Sequence, residues 1–345
     1  MQQILVTGGA GFIGSNWVRF LLAHAPNVNI VVLDKLTYAG NLANLEQLAQ
    51  DPRYTFLQGD ITDTAMVARA MTGCDTVVHF AAESHVDRSI TDAAPFLQTN
   101  ILGTAVLLDV ARQQRIQRFL HISTDEVYGE ILEGSSHEEY PLRPTSPYAA
   151  SKAAGDLLAC AAFMTHHVPV IITRSSNNFG PYQFPEKIIP LFITNILEGT
   201  TVPLYGDGLH VRDWLAVEDH CAALHFLLER GVPGEIYNIG GGHLLTNREL
   251  ARRLTQALGV GEDVITPVAD RPAHDRRYAL DGSKLARLGW RPRHALEEAL
   301  AQTVQWYRDH RAWWAPLKER LRADPYHWLN RTARPSAPQA SRTAG

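Results

Sequence analysis

The run Gly8-Gly9-Ala10-Gly11-Phe12-Ile13-Gly14 lies between an apolar stretch, Ile4–Thr7, and an amphipathic one, Phe12–Ala23. That placement dictates a strand, a tight turn and a helix, in that order. Gly8 permits the turn, Gly11 lets another group approach the backbone, and Gly14 lets helix and strand pack closely. The first turn of the helix offers unpaired N–H groups and a partial positive charge, which together hold a pyrophosphate. Few folds accept such a beginning; the principal one is a doubly wound parallel sheet that binds a dinucleotide.

Asp34 ends the next apolar run, Ile30–Asp34, roughly twenty residues after the glycines. A carboxylate there accepts hydrogen bonds from ribose hydroxyls and repels a 2′-phosphate, which favours NAD over NADP. Lys35, beside it, works against that discrimination. Asp60 ends a third run, Phe56–Asp60, where it either reaches the adenine or caps the strand end.

The alternation continues with a helix over Thr64–Met71, a buried strand over Thr76–Ala82 and a long helix over Pro95–Gln113. A strand at Phe119–Thr124, a helix at Tyr148–Thr165 and a strand at Val168–Arg174 follow. This repetition predicts an α/β protein with a Rossmann-type doubly wound parallel sheet. Regularity fails after Asn178, at the turn-rich run Gly180-Pro181-Tyr182-Gln183-Phe184-Pro185. A helix over Val217–Glu229 and a strand over Glu235–Ile239 are expected to return to the main sheet. The expected division is an NAD-binding domain over residues 1–180 and about 216–241, with a smaller mixed α/β substrate-binding lobe over 181–215 and about 242–315. Residues 331–345 are rich in Pro, Ser, Ala and Thr and read as a disordered tail.

A net charge of −4 provides no field for nucleic acid, so an anionic ligand needs a local cluster of Arg and Lys. The cysteines, Cys74, Cys160 and Cys221, are far apart and odd in number, which argues against a disulfide framework and for a reducing cytoplasm. His166-His167 lacks a third ligand, so no metal is expected. The amino terminus has neither a basic segment nor a long apolar one, so neither a signal peptide nor a membrane span is expected.

Tyr148 and Lys152 are four apart at the start of a predicted helix and share a face. A nearby ammonium is expected to lower the phenol pKa, so that the tyrosine takes a proton from an alcohol as hydride leaves its carbon. Lys152 also suits the nicotinamide ribose. Asp125 and Glu126 follow Thr124 at the end of the preceding strand, where a hydride-transfer site needs a hydroxyl donor. Two carboxyls in one pocket have their pKa values pushed apart, one staying protonated as acid and the other acting as base. That pair suits elimination of water next to an activated C–H.

These segments resemble the extended short-chain dehydrogenase/reductases, and most closely the dTDP-glucose 4,6-dehydratases. The resemblance is carried by TGGAGFIGS (7–15), DKLTYAGN (34–41), AAESHVDRSI (81–90), STDEVYG (123–129), SPYAASKAAGD (146–156), RSSNNFGPYQFPEKIIP (174–190), YGDGLHVRDWLAVEDH (205–220), YNIGG (237–241) and ADRPAHDRRYALD (269–281). It implies that Tyr148 deprotonates the glucose C4 hydroxyl, that Glu126 removes the C5 proton, that Asp125 protonates the departing C6 hydroxyl, and that Thr124 polarises the C4 ketone. It implies a tightly bound, regenerated NAD held by Gly8, Gly11, Phe12, Ile13, Gly14, Asp34, Lys35, Leu36, Thr37, Asp60, Ile61, Phe80, Ala81, Ala82, Ser84, Thr99, Tyr148, Lys152 and Asn178. Ser84, Thr124 and Asn177 would touch the sugar. Lys187, Arg212, Arg271 and His274 would meet the pyrophosphate or nucleotide, and Pro203, Tyr205 and Asn247 the base or ribose. Arg212 taken alone also reads as an ion-pair partner of Asp213. The family usually has glycine where Ala273 stands. A homodimer through a four-helix bundle is implied, with Pro95–Gln113 and Tyr148–Thr165 as the candidate helices. An NDP-sugar 4-epimerase, a dehydratase of UDP- or GDP-sugars and a non-catalytic NAD sensor are the competing readings.

Overall fold

The computed structural model describes residues 1–322, and the tail at 331–345 lies outside the described residues. The strands are β1 (Gln3–Thr7), β2 (Asn29–Asp34), β3 (Tyr54–Gln58), β4 (Thr76–His79), β5 (Arg118–Thr124), β6 (Val170–Ser175), β7 (Asn177–Phe179), β8 (Val202–Tyr205), β9 (Val211–Ala216), β10 (Ile236–Ile239), β11 (Leu244–Thr246) and β12 (Ile265–Val268). The helices are α1 (Phe12–His24), α2 (Thr64–Met71), α3 (Val86–Thr91), α4 (Ala94–Gln113), α5 (Pro147–His166), α6 (Ile188–Leu197), α7 (Val217–Arg230), α8 (Asn247–Leu258), α9 (Ser283–Leu288), α10 (Leu296–Asp309) and α11 (Arg311–Arg322).

Seven strands form one parallel sheet in the order β10-β6-β5-β4-β1-β2-β3, the expected Rossmann-type architecture. Both faces are covered, so inward and outward positions are equally apolar. In β1, Ile4 and Val6 join a core with Trp17, Leu21, Leu224 and Leu227 of α1 and α7, while Leu5 joins Val77, Leu107 and Phe119 beneath α2, α4 and α5. β10 does return to the main sheet, parallel to β6. A second core, with Ile189, Phe192, Trp214, Leu254, Leu300 and Trp314, holds together α6, α8, α10 and α11 around two small sheets, β11-β9-β7 and β12-β8.

Two predicted elements differ from those observed. β4 stops at His79, so Phe80, Ala81 and Ala82 leave the sheet and line a cavity. α4 is not regular: Leu97–Gly103 forms a π turn between α-helical ends. Buried Asn100 lies in that turn, accepting the Glu83 N–H (3.0 Å) and donating to the Glu83 carbonyl (3.0 Å) and the Ser151 hydroxyl (2.8 Å). Gly155 of α5 makes this approach feasible, because a Cβ there would stand 3.0 Å from the Asn100 carbonyl oxygen. α4 is long and apolar enough to cross a membrane by length and composition. Phe96, Leu107, Leu108, Val110 and Ala111 are nevertheless buried in the protein interior.

Candidate active site

The glycine turn has little spare room. Gly8 adopts φ +70°, and a Cβ there would fall 2.5 Å from the Ala81 nitrogen. A Cβ on Gly14 would fall 2.3 Å from the Gly8 carbonyl oxygen. No side chain caps the start of α1, so its first amides are left for an anion. Asp34 accepts amide bonds from Ala10 (2.9 Å) and Leu36 (2.8 Å), which fixes its carboxylate at the end of β2. Lys35 pairs with Asp60 at 2.6 Å, and Asp60 also caps the Thr62 amide at 2.9 Å. The lysine charge is therefore answered by Asp60 beside the very carboxylate it was expected to offset.

A cavity of about 300 Å³ runs from this turn to the ends of β4, β5 and β6. Gly8, Gly11, Phe12, Ile13, Gly14, Asp34, Lys35, Thr37, Asp60 and Ile61 line one end. Phe80, Ala81, Ala82, Ser84, Thr99, Asn178, Thr124, Tyr148 and Lys152 line the other. Leu36, at φ +59°, is not among the residues lining this cavity, and it packs against the main core. The glycine cradle, the uncapped helix start and the Asp34 carboxylate match the phosphates and ribose of NAD.

A second cavity, about 200 Å³, opens beside the first. Lys187, Pro203, Tyr205, Arg212, Asn247, Arg271 and His274 line it. Ser84, Glu126, Asn177, Glu186 and Lys187 belong to both walls, so Glu126 stands where the two cavities meet.

The local chain explains how the carboxyls come to face inward. β5 ends at Thr124, whose hydroxyl accepts the Glu126 amide (3.3 Å) and starts one 3₁₀ turn, Asp125–Tyr128. Asp125 is 3% exposed, and its Oδ2 is buried with no hydrogen-bond partner among the described residues. Burial, with the Glu126 charge next, pushes the Asp125 carboxyl up to about 8. Burial also raises Glu126, but Arg271, Arg212 and Lys187 all oppose the rise. The proton shared by such a pair therefore resides on Asp125, and the negative charge on Glu126.

Ser146 caps α5 by accepting the Ala149 amide (3.1 Å), and Pro147 occupies its first turn. Tyr148 and Lys152 point from that helix into the cavity. The expected lowering of the phenol pKa by Lys152 is not seen. Burial and the Glu126 charge push Tyr148 well up, the Thr124 hydrogen bond opposing, while Lys152 donates to the Ile122 carbonyl (2.6 Å). Burial brings Lys152 down to about 8, with Asp156 acting against it. Desolvation outweighs the charge of the neighbour here.

The cationic cluster has partners that sequence reasoning missed. Arg271 donates through one terminal nitrogen to Asp87 (2.8 Å), leaving its buried Nε without a partner among the described residues. The Tyr205 hydroxyl donates to the same Asp87 (3.2 Å). Arg212 lies 4.3 Å above the Tyr278 ring and donates to the Asp275 carbonyl (2.9 Å). Its alternative partner, Asp213, instead accepts the amides of Gly241 (3.0 Å) and His243 (2.7 Å). His274 stacks on His210 with ring centroids 3.7 Å apart, and Asp270 contacts both rings at 2.6 and 3.4 Å. Asp87 lay in the quoted run 81–90, but nothing local ties it to Arg271, 184 residues on.

The GDP-mannose 4,6 dehydratase family model matches residues 5–303. The dTDP-glucose 4,6-dehydratase of Streptomyces antibioticus is 57% identical over 325 residues, spanning 92% of this chain and 96% of that protein. The crystal structure of DesIV, a dTDP-glucose 4,6-dehydratase from Streptomyces venezuelae solved with NAD, superimposes with a TM-score of 0.90 at 55% identity, covering 91% of this chain and 99% of that one. A Thermus thermophilus UDP-glucose 4-epimerase in complex with NAD shares the fold at a TM-score of 0.83 but only 33% identity, over 89% and 99% of the two chains. By sequence and by fold, the chain belongs to the dTDP-glucose 4,6-dehydratase family.

Proposed function

We propose that this protein converts dTDP-glucose to dTDP-4-keto-6-deoxyglucose and water. The observation that carries the reading is the buried Asp125 carboxyl next to Glu126, on the pocket that also contains Tyr148 and Lys152. NAD, when bound, accepts the C4 hydride and later returns it to C6. Tyr148, as the phenolate that bound NAD and the neighbouring Lys152 ammonium would favour against the burial, takes the C4 hydroxyl proton, and the Thr124 hydroxyl donates to the C4 oxygen, which acidifies the C5 hydrogen. Glu126 removes the C5 proton while Asp125 gives its own proton to the C6 hydroxyl, so that water departs. Glu126 then returns its proton to C5. Over the cycle the C4 hydroxyl proton replaces the one that left Asp125 with the water.

Arg212, Arg271 and Lys187 supply the local positive charge that a diphosphate requires of a chain with net charge −4. Residues 1–180 with about 216–241 would hold the cofactor, and 181–215 with about 242–315 the sugar nucleotide. The test is incubation with dTDP-, UDP- and GDP-glucose followed by mass analysis: loss of water from the dTDP-sugar supports the reading, and an unchanged mass means an epimerase.

A homodimer through α4 and α5 is part of this reading. Leu97 (49% exposed), Leu102 (54%), Leu157 (61%) and Met164 (73%) give these two helices an outward apolar face. Light scattering that shows only monomer at micromolar concentration would contradict it. A reducing cytoplasm fits the three free cysteines.

A further inference from the structure

The family model stops at residue 303, and α11 lies beyond it. This helix has a task that the proposed reaction leaves unassigned. Trp314 is fully buried in the second core. Leu317 and Leu321 pack with Phe184, against Tyr38, Ala39 and Trp313. Ala39 and Phe184 line the cofactor cavity, and Leu321 lines the sugar-nucleotide cavity. Glu198, just past the end of α6, receives Lys318 (2.7 Å) and Arg322 (2.8 Å), which ties α11 down at its far end.

The more specific contact is at Trp313. Its indole N–H donates to Asn44 Oδ1 (2.9 Å), and Asn44, 1% exposed, donates through Nδ2 to the Ala10 carbonyl (2.9 Å). Ala10 belongs to the glycine turn, and its amide donates to Asp34 Oδ2 (2.9 Å). Three links thus join the last described helix to the turn and the carboxylate at the cofactor end. The Trp313 ring also meets Tyr182 edge-on (5.8 Å), and Arg19 of α1 lies over Tyr182 (4.4 Å).

We propose that Trp313 is a positioning residue for the cofactor: through Asn44 it holds the 35–45 loop and the glycine turn closed on NAD, so that NAD stays bound for a whole turnover. The inference rests on the reading above, in which a hydride borrowed from the sugar must be given back to the same molecule. A chain that opened between the two transfers would strand a keto sugar it cannot finish.

Trp313→Phe tests this, because it retains an aromatic ring and removes the N–H. The full chain is loaded with NAD, and the release of NAD is timed by exchange with a fluorescent NAD analogue in the absence of sugar. Loss of one neutral, part-buried hydrogen bond predicts release about three- to tenfold faster. The KM for dTDP-glucose should stay within about twofold, and added NAD should restore kcat. Asn44→Ser breaks the same bond from its other side, and the double variant should be no faster than the worse single one. An unchanged release rate in Trp313→Phe overturns the inference. If that variant does not fold, Asn44→Ser is read by the same criterion. An unaltered chain that binds no NAD refutes the proposed function instead, so the two failures are distinguishable.

Discussion

Replacing Asp125 by Asn should cripple the protein and stabilise it at the same time. Burial moves this carboxyl from 3.8 to about 8. At about 1.4 kcal/mol per unit, ionising it in place costs on the order of 5 kcal/mol. Below about pH 4 both the folded and the unfolded chain hold the proton, and the group adds no pH slope. Between about pH 4 and about pH 8 the unfolded chain has released it and the folded chain still holds it, so stability falls by up to about 1.4 kcal/mol per unit of rising pH. Asn has no proton to lose. The stability gap between variant and wild type should therefore widen across that window and level off above it. Denaturant unfolding of both proteins with saturating NAD, at about pH 5 and about pH 8.5, measures the gap. Turnover of the variant should fall about 10²- to 10⁴-fold with loss of the acid, and wild-type turnover should itself decline above about pH 8. An identical gap at the two pH values would refute the assignment of the proton to Asp125, whatever happened to activity.

Glu126→Gln should still oxidise C4 and then stall, leaving a persistent reduced-nicotinamide absorbance; normal turnover would mean that another group is the base. Tyr148→Phe should slow the first appearance of that absorbance about 10²- to 10⁴-fold in a stopped-flow experiment. Arg271→Lys keeps the charge but loses the planar fork held by Asp87, so KM for the dTDP-sugar should rise about tenfold with little change in kcat. Ala273 has φ +51°, a left-handed conformation that favours glycine. Ala273→Gly should therefore stabilise the chain by about 1 kcal/mol, seen as a higher denaturant midpoint.

Much of this molecule was legible before any coordinates. The helix at Thr64–Met71 and the strands around Ile4 and Phe119 follow from periodicity alone, because a sheet covered on both faces leaves continuous apolar runs. Two pairs that share one cavity, Asp125 with Glu126 and Tyr148 with Lys152, were legible because their members are adjacent or one helical turn apart. What escaped depends on distance or on solvent. Asp87 with Arg271, and Asn44 with Trp313, meet across 184 and 269 residues, and no local pattern encodes such pairs. The Tyr148 pKa was misjudged because the neighbouring ammonium is visible in the sequence and the loss of water around the phenol is not.

The wide turn in α4 carries a consequence for how this chain can vary. A π turn holds about one residue more than an α turn, so deleting one position between Phe96 and Thr104 would close it into ordinary α-helix. Leu107 and Val110 would keep their core positions, whereas Asn100, inside the turn, would lose Glu83 and Ser151. The surplus residue thus serves the cavity wall and not the fold: a chain shortened there should still fold, with the Glu83 stretch left unanchored.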